Sequence, residues 1–282
     1  MSRKPLINSS RETIGLIAGE GRFPFLVSQG IRQHGYRLAA VGFRGHTREE
    51  LYPIADNMLW LRLGQLGKLI SFLKKNQVSQ VVFAGSISKP RAIKAIPDFR
   101  AARLLFRARS KNDSAIFQAL IQTLNTEGIR VISPLSFVPA LQMPEGILGK
   151  RKPSKKEEAD ISFGWPVAKE VGRLDIGQCL VVKDQMVVAV EALEGTDAAL
   201  LRAGELAGPG CVVLKVFKPG QAETIDQPAV GLGTIQSMIR AGASCLAAEA
   251  GESLFFDREE AISLANEHDI CIVGYHSPDA LR

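Results

Sequence analysis

At 282 residues, with 46% hydrophobic and 23% charged residues, the chain has the balance of a folded globular protein and enough length for two domains. No stretch reaches the roughly 20 apolar residues of a membrane-spanning helix, and the opening "MSRKPLINSSRE" lacks the apolar core of an export signal, so a cytoplasmic protein is expected. The net charge of +6 is unevenly spread, and Cys179, Cys211, Cys245 and Cys271 follow no zinc spacing, which predicts buried reduced thiols.

In chain order, "TIGLIAGEG" (13–21) reads as a strand and glycine turn, followed by a helix from Pro24 to about His34. "YRLAAVGF" (36–43) and "NMLWLRL" (57–63) read as further strands. Between 64 and 76, Leu66, Leu69, Ile70 and Leu73 form an apolar stripe at helical spacing. "QVVFAGSI" (80–87) is the next strand, and "IRVISP" (129–134) closes the set after two helices. Strands alternating with helices predict a parallel sheet covered on both faces, a Rossmann-like domain over 1–143. Within it, the helical stretch "PDFRAARLLFRARSK" (97–111) sets Arg100, Arg103 and Arg107 beside Leu104, Leu105 and Phe106. That mixture suits a membrane surface; a core-facing helix with a charged outer face explains it equally.

Residues 144–158, "PEGILGKRKPSKKEE", break both periodicities and read as a linker. A smaller C-terminal α/β domain is expected over 159–282. It opens with a helix at 159–171, followed by a hairpin in "QCLVVKDQMVVAVEAL" with Lys183, Asp184 and Gln185 at its turn. Strand "CVVLKVF" (211–217), a helix at 234–241, an apolar "FF" (255–256), a helix at 258–268 and a last strand "ICIVGYH" complete it. The basic runs Lys150, Arg151, Lys152, Lys155, Lys156 and Arg91, Lys94, Arg100, Arg103, Arg107, Arg109, Lys111 come with no recognition motif, so nucleic acid is not an expected partner.

Several short motifs could carry chemistry. Gly19 and Gly21 lie between a strand and a helix, where backbone amides can face an anion. Pro24 replaces the third glycine of a dinucleotide fingerprint and no acid ends the second strand, which disfavours a nicotinamide cofactor. "FAGSISKPR" (83–91) puts Gly85, Ser86 and Lys89 at another strand end, as phosphate or sugar donors or as an ordinary turn. "EALEGTDAALL" (191–201) gathers Glu191, Glu194 and Asp197 at a strand end. Such oxygen ligands suit Mg²⁺; on spacing alone, Thr196 or Asp197 is the better read as the cap of the next helix. Asp226 stands alone in "ETIDQPAVG" (223–231), on a loop between a buried strand and a helix start. His34, His46, His268 and His276 are scattered, and no nucleophile elbow is present.

Taken together and in order, "IGLIAGEGRFP" (14–24), "FAGSISKP" (83–90), "NDSAIFQALIQTLNTEGIRVIS" (112–133), "GWPVAKEVGRLDIGQCLVV" (164–182), "AVEALEGTDAAL" (189–200) and "KPGQAETIDQPAVG" (218–231) resemble the LpxI-type UDP-2,3-diacylglucosamine pyrophosphatases of lipid A biosynthesis. The resemblance implies two α/β domains with a ligand cleft between them. It also implies a Mg²⁺-dependent hydrolysis of the pyrophosphate bond to UMP and 2,3-diacylglucosamine 1-phosphate, next to the inner membrane. The family's essential acid falls on Asp226. Metal ligands are expected at Asp226, Asp197 and Glu194, and substrate contacts at Gly19, Gly21, Gly85, Ser86, Gln178, Thr196, Asp197, Lys215 and Gln221. A homodimer is compatible with the sequence. One departure stands out, since Ala222 and Thr224 replace the second acid and the arginine of the family's loop. The alternative reading is therefore a sugar-nucleotide or acylated-sugar binding protein of the same fold without turnover.

Overall fold

A computed structural model describes residues 12–87, 96–107, 113–218 and 227–276. The chain forms two compact units, Met1–Pro139 and Ala140–Arg282. Asp226 and Gln221 lie outside the described residues, as do Lys89, Arg91, Lys94, Arg109 and Lys111.

The described elements of the first unit are Thr13–Ala18 (β1), Phe23–Gln33 (α1), Arg37–Phe43 (β2), Asn57–Leu61 (β3), Leu66–Lys75 (α2), Gln80–Ala84 (β4), Phe99–Arg107 (α3), Asp113–Thr126 (α4) and Arg130–Val131 (β5). The strands pair in the order β3-β2-β1-β4-β5, all parallel. Ile14, Leu16, Leu38, Ala40 and Val82 are buried between β-sheet and helices, as expected of strands covered on both faces. The stripe Leu66, Leu69, Ile70 and Leu73 is the buried face of α2, as its spacing predicts. In this order the chain reverses direction across the sheet between β1 and β4, and ligands of open parallel sheets bind beside the strand ends at such a point.

The second unit contains Gly146–Ile147 (β6), Lys155–Arg173 (α5), Cys179–Lys183 (β7), Met186–Val190 (β8), Thr196–Ala207 (α6), Val212–Lys215 (β9), Ala229–Val230 (β10), Leu232–Ala241 (α7), Cys245–Glu249 (β11), Leu254–Phe255 (β12), Arg258–Glu267 (α8) and Cys271–Tyr275 (β13). Its main sheet runs β6-β13-β11-β9-β7-β8, and β10 and β12 form a separate parallel pair. The centre, β13-β11-β9, is parallel; β6, β7 and β8 join antiparallel. The hairpin turn falls at Asp184 and Gln185, both at positive φ (48° and 57°), the backbone of a two-residue hairpin loop. The buried Asp160 carboxylate accepts from both turn amides, at 3.2 and 2.6 Å. All four cysteines are buried and free; burial pushes the Cys179 thiol up to about 12 despite Lys215 beside it.

Three expectations need correction. The second unit, expected to be the smaller, carries the longer sheet. The stretch 144–158, expected as a linker, supplies β6 to that sheet and the start of α5. There Ser154 and Glu157 form a reciprocal capping box, Arg151 donates to both Glu157 oxygens (3.0 and 2.7 Å) and Ser244 donates at 2.6 Å. Burial alone would raise the Glu157 pKa, but these hydrogen bonds outweigh it and hold the carboxyl below its usual range. Finally, β11, at the middle of the sheet, was not expected at all.

Candidate functional site

Two places gather the residues singled out in the sequence, one in each unit. In the first, the loop after β1 lies against the loop after β4. The Gly19 amide donates to Ala84 O at 2.8 Å and the Glu20 amide to Ser86 O at 2.7 Å. A Cβ on Gly19 would sit 2.3 Å from Ser86 O, and one on Gly85, whose φ is +87°, 2.4 Å from Glu20 O. The two glycines are therefore required by this close approach. The amides of Gly19 and Glu20 are occupied by it, so any ligand at this edge meets other groups. Gly21 has positive φ and open space where a Cβ would point. Beside them, His46 Nδ1 lies 2.6 Å from Glu20 Oε1, and Thr47 Oγ1 donates to Ala18 O at 2.5 Å. Gly19, Gly21, Gly85 and Ser86 thus share the carboxyl edge of β1 and β4.

In the second unit a cavity of about 420 Å³ is lined by Thr196, Asp197 and Lys215, by the first turn of α7, and by Phe256 and Asp257. Lys215 is 6% exposed. Its Nζ donates to Ala229 O at 2.7 Å and to Thr196 Oγ1 at 3.0 Å; Thr196 Oγ1 in turn donates to Glu191 Oε1 at 2.9 Å. The second Glu191 oxygen accepts from the Gln178 amide at 3.3 Å. A buried ammonium whose immediate acceptors are neutral keeps a strong demand for negative charge. The start of α7 adds to the same demand. Its Gly231 N-cap gives no side-chain cap, leaving first-turn amides and the positive end of the helix dipole at the cavity wall. Lysine, threonine and a helix start are groups that suit an anion, and Asp197 and Asp257 on the same lining are groups that suit a cation.

The expected cap reading of "EGTDA" gives way here. Gly195, at φ 86°, is the N-cap of α6 and makes no side-chain cap bond, while the Thr196 hydroxyl is bound between Lys215 and Glu191. Asp197, in the first turn of α6, lines the cavity. The carboxylate of Glu191 is taken by Thr196 and Gln178. Glu194 does not line the cavity; it accepts from Arg202 at 2.8 Å and from the Ala192 amide at 3.1 Å, and backbone hydrogen bonds foremost hold its pKa below the usual range. Gln178 Oε1 is buried with no partner among the described residues, outside the cavity lining.

Gly231, Gly233, Thr234 and Asp257 were not among the residues expected at the site. The available signal was a pair of glycines at the start of a short helix in "VGLGT". Asp257 holds a left-handed backbone, φ 47°, at the start of α8, a conformation rare outside glycine. Among the described residues, no three His, Cys, Asp or Glu side chains gather as a metal site.

The chain leaving β9 is braced at Phe217 and Lys218. Glu249 Oε2 accepts from the Phe217 amide at 2.7 Å, while Lys169 Nζ donates to Phe217 O and to both Glu249 oxygens, all at 2.9 Å. Lys218, itself buried, pairs with Asp175 at 2.9 Å. The chain returns to the cavity wall at Ala229, three residues after Asp226.

Residues 13–141 match the LpxI N-terminal domain and residues 144–273 the LpxI C-terminal domain. The UDP-2,3-diacylglucosamine pyrophosphatase LpxI of Caulobacter vibrioides is 34% identical over 276 residues, 93% of this chain and 96% of its own. Likeness to solved structures is weaker. The N5-carboxyaminoimidazole ribonucleotide synthetase of Thermotoga maritima is 12% identical with a TM-score of 0.25, over 64% of this chain and 41% of its own. The chain thus spans less than half of that structure. With both domain models matched in sequence order along almost its whole length, the chain belongs to the LpxI family.

Proposed function

We propose that the chain hydrolyses the pyrophosphate bond of UDP-2,3-diacylglucosamine, giving UMP and 2,3-diacylglucosamine 1-phosphate, with Mg²⁺ as cofactor and at the cytoplasmic face of the inner membrane. The observation that carries this reading is the buried Lys215 beside Thr196, Asp197 and the start of α7 on one cavity. The name of the Caulobacter relative supplies the substrate.

Phosphoryl transfer from an anhydride asks mainly for positioning and charge neutralisation. Lys215 serves as a fixed point charge toward a phosphate, its Nζ oriented by Thr196 and Ala229 O. The α7 amides serve as further donors. Water attacks phosphorus and the bridging oxygen leaves with the departing phosphate.

The donor set fits Mg²⁺, which takes few carboxylates and completes its shell with waters and substrate phosphates. Asp197, together with Asp226, would hold it. When bound, the ion supplies charge neutralisation on the diphosphate. Among the described residues no helix is long and apolar enough to cross a membrane, so contact with a lipid substrate is proposed to be peripheral.

The test is UMP release from UDP-2,3-diacylglucosamine by the protein and its Asp226→Ala variant, with and without a chelator. Release that falls by at least about 100-fold in the variant, and that stops on chelation and returns with Mg²⁺, supports the reading. A folded parent that binds the substrate and releases no UMP supports instead the binding protein without turnover, the reading that Ala222 and Thr224 favour.

A further inference from the structure

Helix α3 presents an outer face that is apolar where a surface helix is ordinarily polar. Leu104 is its buried anchor, and it packs against α2 and α4. At 100° per residue, Phe99, Ala102, Arg103 and Phe106 lie opposite Leu104 on one strip. Phe99 is 82% exposed, Phe106 92% and, just before the helix, Ile96 86%. Isolated exposed apolar residues are ordinary, but two phenylalanines two turns apart on one helix face form a patch.

This face is held rigidly. The Asp98 carboxylate accepts from the Ala101 amide at 2.9 Å and from the Gly67 amide of α2 at 2.8 Å, and the Asp98 amide donates to Gly64 O at 2.9 Å. These bonds fix the start of α3 just beyond the carboxyl end of β3. In a parallel sheet this is the same edge as the Gly19–Gly85 contact. The charges divide in a way the sequence spacing conceals. Glu127 accepts from both Lys74 and Arg100, the latter at 2.9 Å, so Arg100 is held in an ion-pair cluster that is only partly neutralised. Arg103, exposed, stands on the apolar strip between the two phenylalanines.

We infer that the outer face of α3 is the surface by which this chain docks on an anionic bilayer. Phe99, Phe106 and Ile96 enter the interface and Arg103 meets lipid phosphate. Aromatic residues with an arginine suit the headgroup boundary, and a positive charge gains from anionic lipid. The position of the face, on the edge that carries the Gly19–Gly85 contact, would bring that edge to the source of an acylated substrate. This last step rests on the proposed lipid substrate; the docking surface itself does not.

The experiment is sedimentation of the full chain with phosphatidylethanolamine–phosphatidylglycerol vesicles and with uncharged phosphatidylcholine vesicles. The parent, Phe99→Ser/Phe106→Ser and Arg103→Glu are compared, with thermal melts to verify folding and light scattering to follow self-association. Binding of the parent to the anionic vesicles is expected, falling about 30-fold or more in the double variant and about tenfold in Arg103→Glu. UMP release from detergent-dispersed substrate should persist in both, while release from vesicle-borne substrate falls. A parent that does not sediment with anionic vesicles, or folded variants that sediment as the parent does, would overturn the inference. So would variants that lose only self-association, since a second copy then covers the face. Failure to release UMP in detergent would count against the proposed reaction alone, and the sedimentation result would still decide the docking surface.

Discussion

A threonine hydroxyl has one proton to give and lone pairs to receive with, and Thr196 uses both, donating to Glu191 while accepting from Lys215. The chain of contacts fixes the direction of the lysine, because Ala229 O accepts a second proton. Lys215→Met should therefore remove the charge that faces the cavity and leave the Thr196–Glu191 bond intact. The expected outcome is a loss of kcat/KM of about 100-fold or more, with a melting temperature equal to or above that of the parent, because a buried charge is gone. Thr196→Val should cost less, about tenfold, since Lys215 keeps Ala229 O. UMP-release kinetics and thermal melts on both variants check this. A lysine variant with parental kcat/KM would show that Lys215 is structural only. Sequence spacing suggested a cap for "EGTDA", because it registers neighbours along the chain; the partner that redirects Thr196 arrives from β9, nineteen residues later.

At the scale of elements, the site depends on the exit of β9, where Glu249 at the end of β11 and Lys169 of α5 hold both polar backbone groups of Phe217. The pair is largely buried, with side-chain exposures of 10% for Glu249 and 25% for Lys169. Removing one partner leaves the other buried without its counter-charge, so Lys169→Met or Glu249→Gln should each cost about 3 kcal/mol in denaturant unfolding. The double variant should cost less than the sum of the two. Equal and additive losses would mean that the residues act separately. The loop toward Asp226 begins two residues beyond this brace, so UMP release should fall in the single variants even where the protein remains folded. Most elements were legible in the sequence because periodicity and strand length report burial on one or two faces, as at β1, β2, α2 and the β7–β8 hairpin. β11 was not, although Cys245, Leu246, Ala247 and Ala248 are all 0% exposed. Alanine and glutamate have weak strand preference, and small side chains at the centre of a sheet are selected by packing against elements distant in sequence. For the site, the same reasoning found Thr196, Asp197 and Lys215 and the helix α7 itself, but not that the start of α7 and Asp257 line the cavity, which follows from where the backbone turns.

At the scale of the whole molecule, each hydrophobic core cluster among the described residues is drawn from one unit. One runs through Ile14, Leu38 and Phe137, and two others span Met143 to Ile272 and Ile161 to Val273. A core that closes on itself is what allows a unit to fold alone. The boundary then becomes a physical question, because the break in periodicity at 144–158 suggested a linker with the second domain starting at 159. The contacts argue for an earlier start. Met143, 1% exposed, belongs to the second core, Ile147 pairs with Val273 at the sheet edge, and Ser154, Arg151 and Glu157 satisfy the α5 N-terminus and Ser244. A fragment 140–282 should therefore fold cooperatively on its own. A fragment 159–282 loses a buried methionine, a helix cap and a buried ion pair, contributions of about 1–5 kcal/mol each. It should melt at least about 10 °C lower, if it folds at all. Circular dichroism melts of the two fragments decide the matter. Equal melting temperatures would mean that 140–158 is a linker after all. An unfolded 140–282 would mean that the second unit depends on the first.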